Sequence, residues 1–250
     1  MSRLLGVGIV LALAVASWAG PSEAGGRETM FEKDTIETST GELEITFVGH
    51  GSLMFKLGDT VIHVDPVSSE ADYSKMPKAD IILVTHEHRD HLDPDAIAAI
   101  SKEGTTLLLA EKCAATVSGG TVLRNGDVRA VDGMNVEAVP AYNIVHKRPS
   151  GEPFHPKGDG NGYIITFGDT RVYVAGDTEN TPEMKALKGI DVAFLPMNLP
   201  YTMTPEMVAD AAKAFRPKIL YPYHFGATDT SELLRLLKDD PIEVRVRKME

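Results

Sequence analysis

Thr85-His86-Glu87-His88-Arg89-Asp90-His91 is the stretch on which the fold turns. Three of the chain's eight histidines fall inside it. His86 and His88 are two residues apart, so in extended backbone their side chains leave on the same side, and Asp90 continues that side. His91 then begins a turn toward Asp93-Pro94, an N-cap residue followed by proline at the first helical position. Upstream, Ile81–Val84 is a short apolar run of the kind a buried strand shows. Imidazole nitrogens and a carboxylate, gathered where a strand hands over to a helix, are the ligands that zinc and similar divalent ions take. A surface loop rich in histidine by chance has no reason to follow a buried strand and enter a capped helix directly.

Outward from this segment the chain alternates short strand patterns with turns. Residues 43–48, 52–57 and 60–64 read as strands, the last two joined by a Gly58-Asp59 turn of hairpin type. Residues 94–101 read as a helix, and 105–110, 128–131 and 136–139 as strands. The pattern then repeats. Residues 163–167, Gly168-Asp169-Thr170, 172–174 and Asp177 parallel 52–57, Gly58-Asp59-Thr60, 61–64 and Asp65. Two such strand–turn–strand–aspartate units point to two similar β-rich halves. Helices follow at 205–215, capped by Thr204 and stopped by Pro217, and at 231–237. Met207, Val208, Ala211, Ala212 and Phe215 fall on one face, as in a helix covering a sheet. Helices outside two sheets make a layered α/β domain. Residues 25–41 are polar and read as a loosely ordered lead-in, and no internal linker divides residues 25–250.

The 250 residues are 43% hydrophobic and 24% charged, ample for one core. The net charge is -11 with scattered basic residues, which argues against nucleic acid as a partner. Residues 1–24 differ from the rest: Arg3 supplies positive charge, 4–16 are apolar, and Ser22-Glu23-Ala24 offers small residues at a cleavage point. This is the pattern of a secretory signal, so the mature domain is expected to be 25–250, periplasmic or secreted. Beyond that segment no run is apolar enough to cross a membrane. Cys113 is the sole cysteine, which excludes an intramolecular disulfide and reads as a buried structural thiol. Neither a serine-nucleophile motif nor a phosphate-binding or dinucleotide-binding glycine loop is present.

On these residues the sequence resembles the metallo-β-lactamase superfamily, whose signature His-x-His-x-Asp-His follows a strand. The resemblance covers residues 43–226. It is nearest to a broad branch of metal-dependent hydrolases, L-ascorbate-6-phosphate lactonase-like, with Val48-Gly49-His50-Gly51-Ser52 as a further shared feature. It implies a four-layer αββα sandwich of the metallo-β-lactamase type. His63-Val64-Asp65-Pro66 matches the family's early aspartate, Ala175-Gly176-Asp177-Thr178 its bridging aspartate, and Tyr223-His224-Phe225-Gly226 its last histidine.

The family's third histidine is where this sequence departs, because Asn143 stands in the expected place. Two histidines follow, and His155, bracketed by Pro153 and Pro156, is preferred to His146. The resemblance then implies His86, His88 and His155 as ligands of one divalent ion and Asp90, His91 and His224 as ligands of a second, with Asp177 bridging. Asp90 and His50 are the candidates for a direct part in catalysis, His50 being alternatively a core histidine. Asp65 either holds the free nitrogen of a ligand histidine or makes a turn before Pro66. Asn143, His146, Asn198 and Tyr201 are candidate supporting or pocket residues, the last two within a proline-punctuated apolar segment.

The implied function is hydrolysis of an ester, lactone, amide or phosphoester bond in a small molecule. The agent is a hydroxide activated between two divalent ions, zinc first, with manganese or iron(II) as alternatives. The rival reading is a metal-binding protein without turnover, or an iron-dependent redox member of the same fold. The oligomeric state is open.

Overall fold

The computed structural model describes residues 31–249; the expected signal segment lies outside the described residues. The first half of the chain builds one sheet from β1 (Glu32–Thr38), β2 (Gly41–Gly49), β3 (Ser52–Leu57), β4 (Thr60–Val64) and β5 (Ile81–Val84), then, after helix α1 (Pro94–Ile100), β6 (Thr106–Leu109) and β7 (Thr121–Val122). The second half builds another from β8 (Val128–Val131), β9 (Met134–Ala141), β10 (Gly160–Phe167), β11 (Thr170–Val174), β12 (Val192–Pro196), β13 (Ile219–Tyr223) and β14 (Glu243–Val244), with α2 (Pro182–Lys185), α3 (Pro205–Phe215) and α4 (Thr230–Leu237) between the later strands.

Strand order follows chain order in both sheets. In each, the first four strands run antiparallel and the fourth begins a parallel set. The repeat in the sequence therefore has a structural counterpart. Gly58-Asp59 and Gly168-Asp169 turn the hairpins formed by the third and fourth strands of their sheets. Both glycines sit at positive φ, +58° and +60°, which a two-residue hairpin turn of this hand needs. Parallel neighbours cannot be joined by a tight turn, so longer crossovers join them: α1 links β5 to β6, α2 links β11 to β12, α3 links β12 to β13 and α4 links β13 to β14, while β4 reaches β5 through turns and coil at 65–80.

Alternation along the strands sorts side chains into layers. Ile62 and Val64 of β4, and Ile81 and Leu83 of β5, enter the core between the sheets, while Val61, Ile82 and Val84 enter a second cluster covered by Ala96, Ile97 and Ile100 of α1. Phe194 of β12 joins the two sheets: its ring stacks on Tyr221 at 4.9 Å and meets Phe55 at 5.8 Å and Phe47 at 6.2 Å. On the far side, Val208, Ala211, Ala212 and Phe215 of α3 and Leu233 and Leu237 of α4 close over the second sheet. The result is the αββα sandwich expected from the sequence.

Several elements differ from the sequence expectation, the short β7, α2 and β14 among them, and three bear on how the sheets are built. Residues 32–38 are no loose lead-in: β1 pairs with β2 from Glu32↔Phe47 to Thr38↔Gly41. Its one aliphatic residue, Ile36, gives almost no hydrophobic signal, and the strand is held by backbone pairing and by Arg247, whose guanidinium donates to Asp34 at 2.9 and 2.7 Å. The strands β12 and β13 also lacked an expectation, since Pro196 and Pro222 break their apolar patterns. Pro222 lies beyond the two positions that β14 pairs.

His63, on β4, is fully buried, with Nε2 3.0 Å from the Pro77 carbonyl oxygen. Burial pulls its imidazole from 6.5 down to about 4, against the hydrogen bond to Pro77. The folded protein therefore keeps His63 neutral where the unfolded chain takes up a proton, so this contribution is complete above pH 6.5 and declines as pH falls toward 4. Unfolding free energy of chelated protein is expected to fall by about 2–3 kcal/mol more in the wild type than in His63→Leu between pH 7 and 4.5. Equal declines in the two proteins would exclude this coupling.

Candidate metal centre

The residues singled out in the sequence gather at the carboxyl ends of the strands. His50 follows β2, Asp65 follows β4, Thr85 and His86 follow β5, Asp177 lies three residues past β11, and His224 follows β13. This is where open α/β sheets place their ligands. His50, Asp65 and His224 adopt left-handed backbone conformations, with φ of 49°, 46° and 44°. Non-glycine residues accept that strain only when the surroundings fix them. Here the His224 N–H donates to the His50 carbonyl at 3.0 Å, and the Asp65 N–H to the Leu83 carbonyl at 2.9 Å. Gly51 has no room for a side chain, since a Cβ there would stand 2.7 Å from Cε1 of His91.

Two groups of nitrogens face each other across Asp177. In the first, His88 Nδ1 lies 3.1 Å from His86 Nε2 and 3.2 Å from His155 Nε2. Ligand atoms at zinc–nitrogen bond lengths stand about 3.3 Å apart in a tetrahedron, so this spacing suits a shared cation. In the second, His224 Nε2 and His91 Nε2 lie 3.5 and 3.9 Å from Asp90 Oδ2. Asp177 Oδ2 is 3.2 Å from His155 Nε2 and 3.9 Å from His86 Nε2, while its Oδ1 is 3.4 Å from His91 Nε2 and 3.6 Å from His224 Nε2. One carboxylate thus turns one oxygen to each group.

The donor set fits divalent ions on chemical grounds as well. His91 Nε2, His224 Nε2 and Asp177 Oδ1 are buried with no hydrogen-bond partner, a costly condition that a cation among them relieves. Burial holds His86 and His88 below the ordinary histidine range, leaving the neutral imidazoles a metal requires. His91 behaves oppositely: burial pulls it down, but Asp177 and Asp65 outweigh that and hold it up at about 9. Burial works to raise Asp90, yet His224, His50 and His91 keep it far below the usual carboxylate range. The second pocket calls for positive charge.

A family model described as a beta-lactamase superfamily domain matches residues 44–224, the span that holds every one of these side chains. The chain belongs to that superfamily. A UPF0173 metal-dependent hydrolase from Thermococcus kodakarensis is 31% identical over 215 residues, covering 79% of this chain and 93% of its own. A crystal structure from Parabacteroides distasonis, described as a candidate metal-dependent hydrolase, shares 52% identity at a TM-score of 0.85 and covers 88% of this chain and 100% of its own. Igni18, a metallo hydrolase from Ignicoccus hospitalis, shares 25% identity at a TM-score of 0.69, covering 83% and 95%.

In this β-lactamase superfamily member the far nitrogens of three histidines are each held by a neighbour. Asp65 Oδ2 accepts from His91 Nδ1 at 2.8 Å, and the same carboxylate accepts from the Thr85 N–H and hydroxyl at 2.8 and 2.7 Å. Thr85 Oγ1 then stands 3.0 Å from His86 Nδ1 as its acceptor. Asn143 Oδ1 accepts from both the His155 backbone N–H at 2.9 Å and its Nδ1 at 2.7 Å. These contacts fix ring orientation and leave the opposite nitrogen for the pocket.

His146 does not reach the cleft. Its Nδ1 stands 2.8 Å from Glu179 Oε1, which leaves it beside the loop that Glu179 holds, the supporting one of the two places considered for it. Glu179, which sequence reasoning did not single out, is buried and accepts the N–H groups of Ile144, Val145 and His146 at 2.7, 2.7 and 2.6 Å and Asn143 Nδ2 at 3.1 Å. It braces the loop that presents Asn143 and hence His155. Before the site opens a cleft of about 430 Å³, whose walls include Asn198 and Tyr201 together with Arg89 and Arg148, two residues not singled out in the sequence. His50 Nε2 stands 3.2 Å from Asp90 Oδ2, and its ring lies 3.8 Å from that of His224.

Proposed function

We propose that this metal-dependent hydrolase uses two divalent ions, zinc foremost, to cleave an ester, lactone, amide or phosphoester bond in a small molecule. The observation that carries the reading is Asp177, with one carboxylate oxygen toward each histidine group. His86, His88 and His155 would hold one ion, Asp90, His91 and His224 the other. When bound, the ions supply Lewis acidity, which lowers the pKa of a water and polarises the bond under attack.

The chain's own residues do the rest. Asp90 is half-exposed to the cleft and kept ionised by His224 and His50, which places a hydrogen-bond acceptor where the attacking water must be oriented. His50 fixes the Asp90 carboxylate from the other side. Asp65, Thr85 and Asn143 hold the histidine rings so that no reorganisation is needed when charge develops. The open cleft beside these groups favours turnover over metal storage.

The test is a panel of chromogenic esters, lactones, amides and phosphodiesters, offered to protein loaded with zinc, manganese or iron(II) and to chelated protein. One bond class is expected to be cleaved, with activity lost on chelation and restored by metal. Protein carrying two ions per chain yet inert toward every class would instead support metal binding without turnover.

A further inference from the structure

The lip of the cleft combines two features that the hydrolytic machinery does not use. The first is charge. Arg89 and Arg148 both line the cleft of a chain whose net charge is -11. Among the described residues neither pairs with a carboxylate; the one side-chain hydrogen bond of Arg148 goes to the Phe154 carbonyl at 3.4 Å. The cleft's own carboxylates, Asp90 and Asp177, are turned toward histidines. The Arg148 guanidinium lies over the Phe154 ring at 5.2 Å, and that ring meets Tyr201 edge-on at 5.0 Å. Stacking of this kind orients a planar fork suited to carboxylate or phosphate.

The second feature is apolar. Of the six exposed large apolar side chains among the described residues, four sit on the two loops that flank this wall: Ile144, Val145, Leu199 and Tyr201. Val145 is 63% exposed. These are not frayed segments. Glu179 holds the backbone under Ile144 and Val145, and Asn143 Nδ2 ties that loop to the Tyr201 carbonyl at 2.9 Å. Apolar side chains presented by a braced backbone beside a cleft mark a binding surface.

We infer that the natural substrate is a small amphiphilic anion: a carboxylate or phosphate that sits on Arg148 and Arg89, joined to an acyl or aryl group that lies on the Ile144–Val145 and Leu199–Tyr201 rim. The inference rests on the reading of this cleft as the substrate site. It needs both features together. Arginines alone suit a bare anion, and an apolar rim alone suits a neutral ester.

Calorimetry with octyl phosphate, octanoate, inorganic phosphate and octanol tests this on the full chain, chelated and zinc-loaded. Octyl phosphate and octanoate are expected to bind the chelated chain at least about tenfold more tightly than inorganic phosphate or octanol do. Arg89→Gln with Arg148→Gln should weaken both amphiphiles about tenfold and leave octanol unchanged, since charge-assisted hydrogen bonds are of that strength. Val145→Ser with Leu199→Ser should weaken octyl phosphate and spare inorganic phosphate. Octyl phosphate binding no tighter than inorganic phosphate, or an unchanged affinity in the double arginine variant, would overturn the proposal. So would rim substitutions that change only sedimentation, which would assign the rim to a second copy of the chain. Binding by chelated protein requires no metal, so arginine-dependent binding without hydrolysis would remove the hydrolase reading alone. Hydrolysis confined to neutral substrates, without arginine dependence, would remove this one alone.

Discussion

Asp177→Asn is expected to lower bound metal from two ions per chain to one or none, with hydrolysis reduced on the order of 10³-fold or more. The substitution keeps the size of the side chain and one carbonyl oxygen, but it removes the negative charge and one of the two acceptors. Both oxygens have assigned directions, Oδ2 toward His155 and His86, Oδ1 toward His91 and His224. Asp177 is 5% exposed, so water cannot replace the lost oxygen. Its charge also sets its neighbours: His91 stands at about 9 chiefly against burial through Asp177 and Asp65. Elemental analysis and kcat/KM of the folded variant check the expectation. Two ions retained, with activity within tenfold of wild type, would contradict it.

The second large effect separates the two histidines that follow Asn143. His155→Ala should lose metal and rate together, by about 100-fold in activity, because it removes a ring that is braced from behind and that the proposal assigns to the first ion. His146→Ala should leave metal content unchanged, since its ring contacts Glu179 and not the cleft. Asn143→Ala belongs between them: it removes the acceptor that orients His155 at 2.7 Å without removing the ring, for about a tenfold cost in metal affinity. Metal titration of the three variants reads the order directly. Metal loss in His146→Ala with none in His155→Ala would reverse the assignment.

Much of this was legible in the chain because it is local. The His86–His91 segment, the N-cap at Asp93 and the strand before it lie close together, from Ile81 to Asp93, and their spacing carries the geometry. The paired Gly-Asp-Thr turns were legible for the same reason, and they turned out to occupy equivalent places in two sheets of one plan. The less legible parts depend on distance in sequence. Asn143 and His155 are twelve residues apart, and nothing short of the fold shows that an asparagine, where a histidine was expected, accepts a hydrogen bond from the ring of a histidine further along the chain. Glu179 is two residues from Asp177 and gives no periodic or motif signal; its role comes from three backbone N–H groups more than thirty residues away. Thr85 lies inside the quoted segment, yet its hydroxyl matters only because Asp65 and His86 meet there. The polar strand β1 escaped a reading based on apolar pattern because backbone pairing and the Asp34–Arg247 contact hold it. Arg148 was equally silent, being one basic residue among 25.

Whether one aspartate joins two metal positions can be read from anomalous diffraction by crystals of zinc-loaded protein, recorded on both sides of the zinc absorption edge. Two anomalous peaks per chain are expected, one adjoining Asp177 Oδ2 with His86, His88 and His155, the other adjoining Oδ1 with Asp90, His91 and His224. A single peak at saturating zinc, or a second peak away from Asp177, would contradict that arrangement.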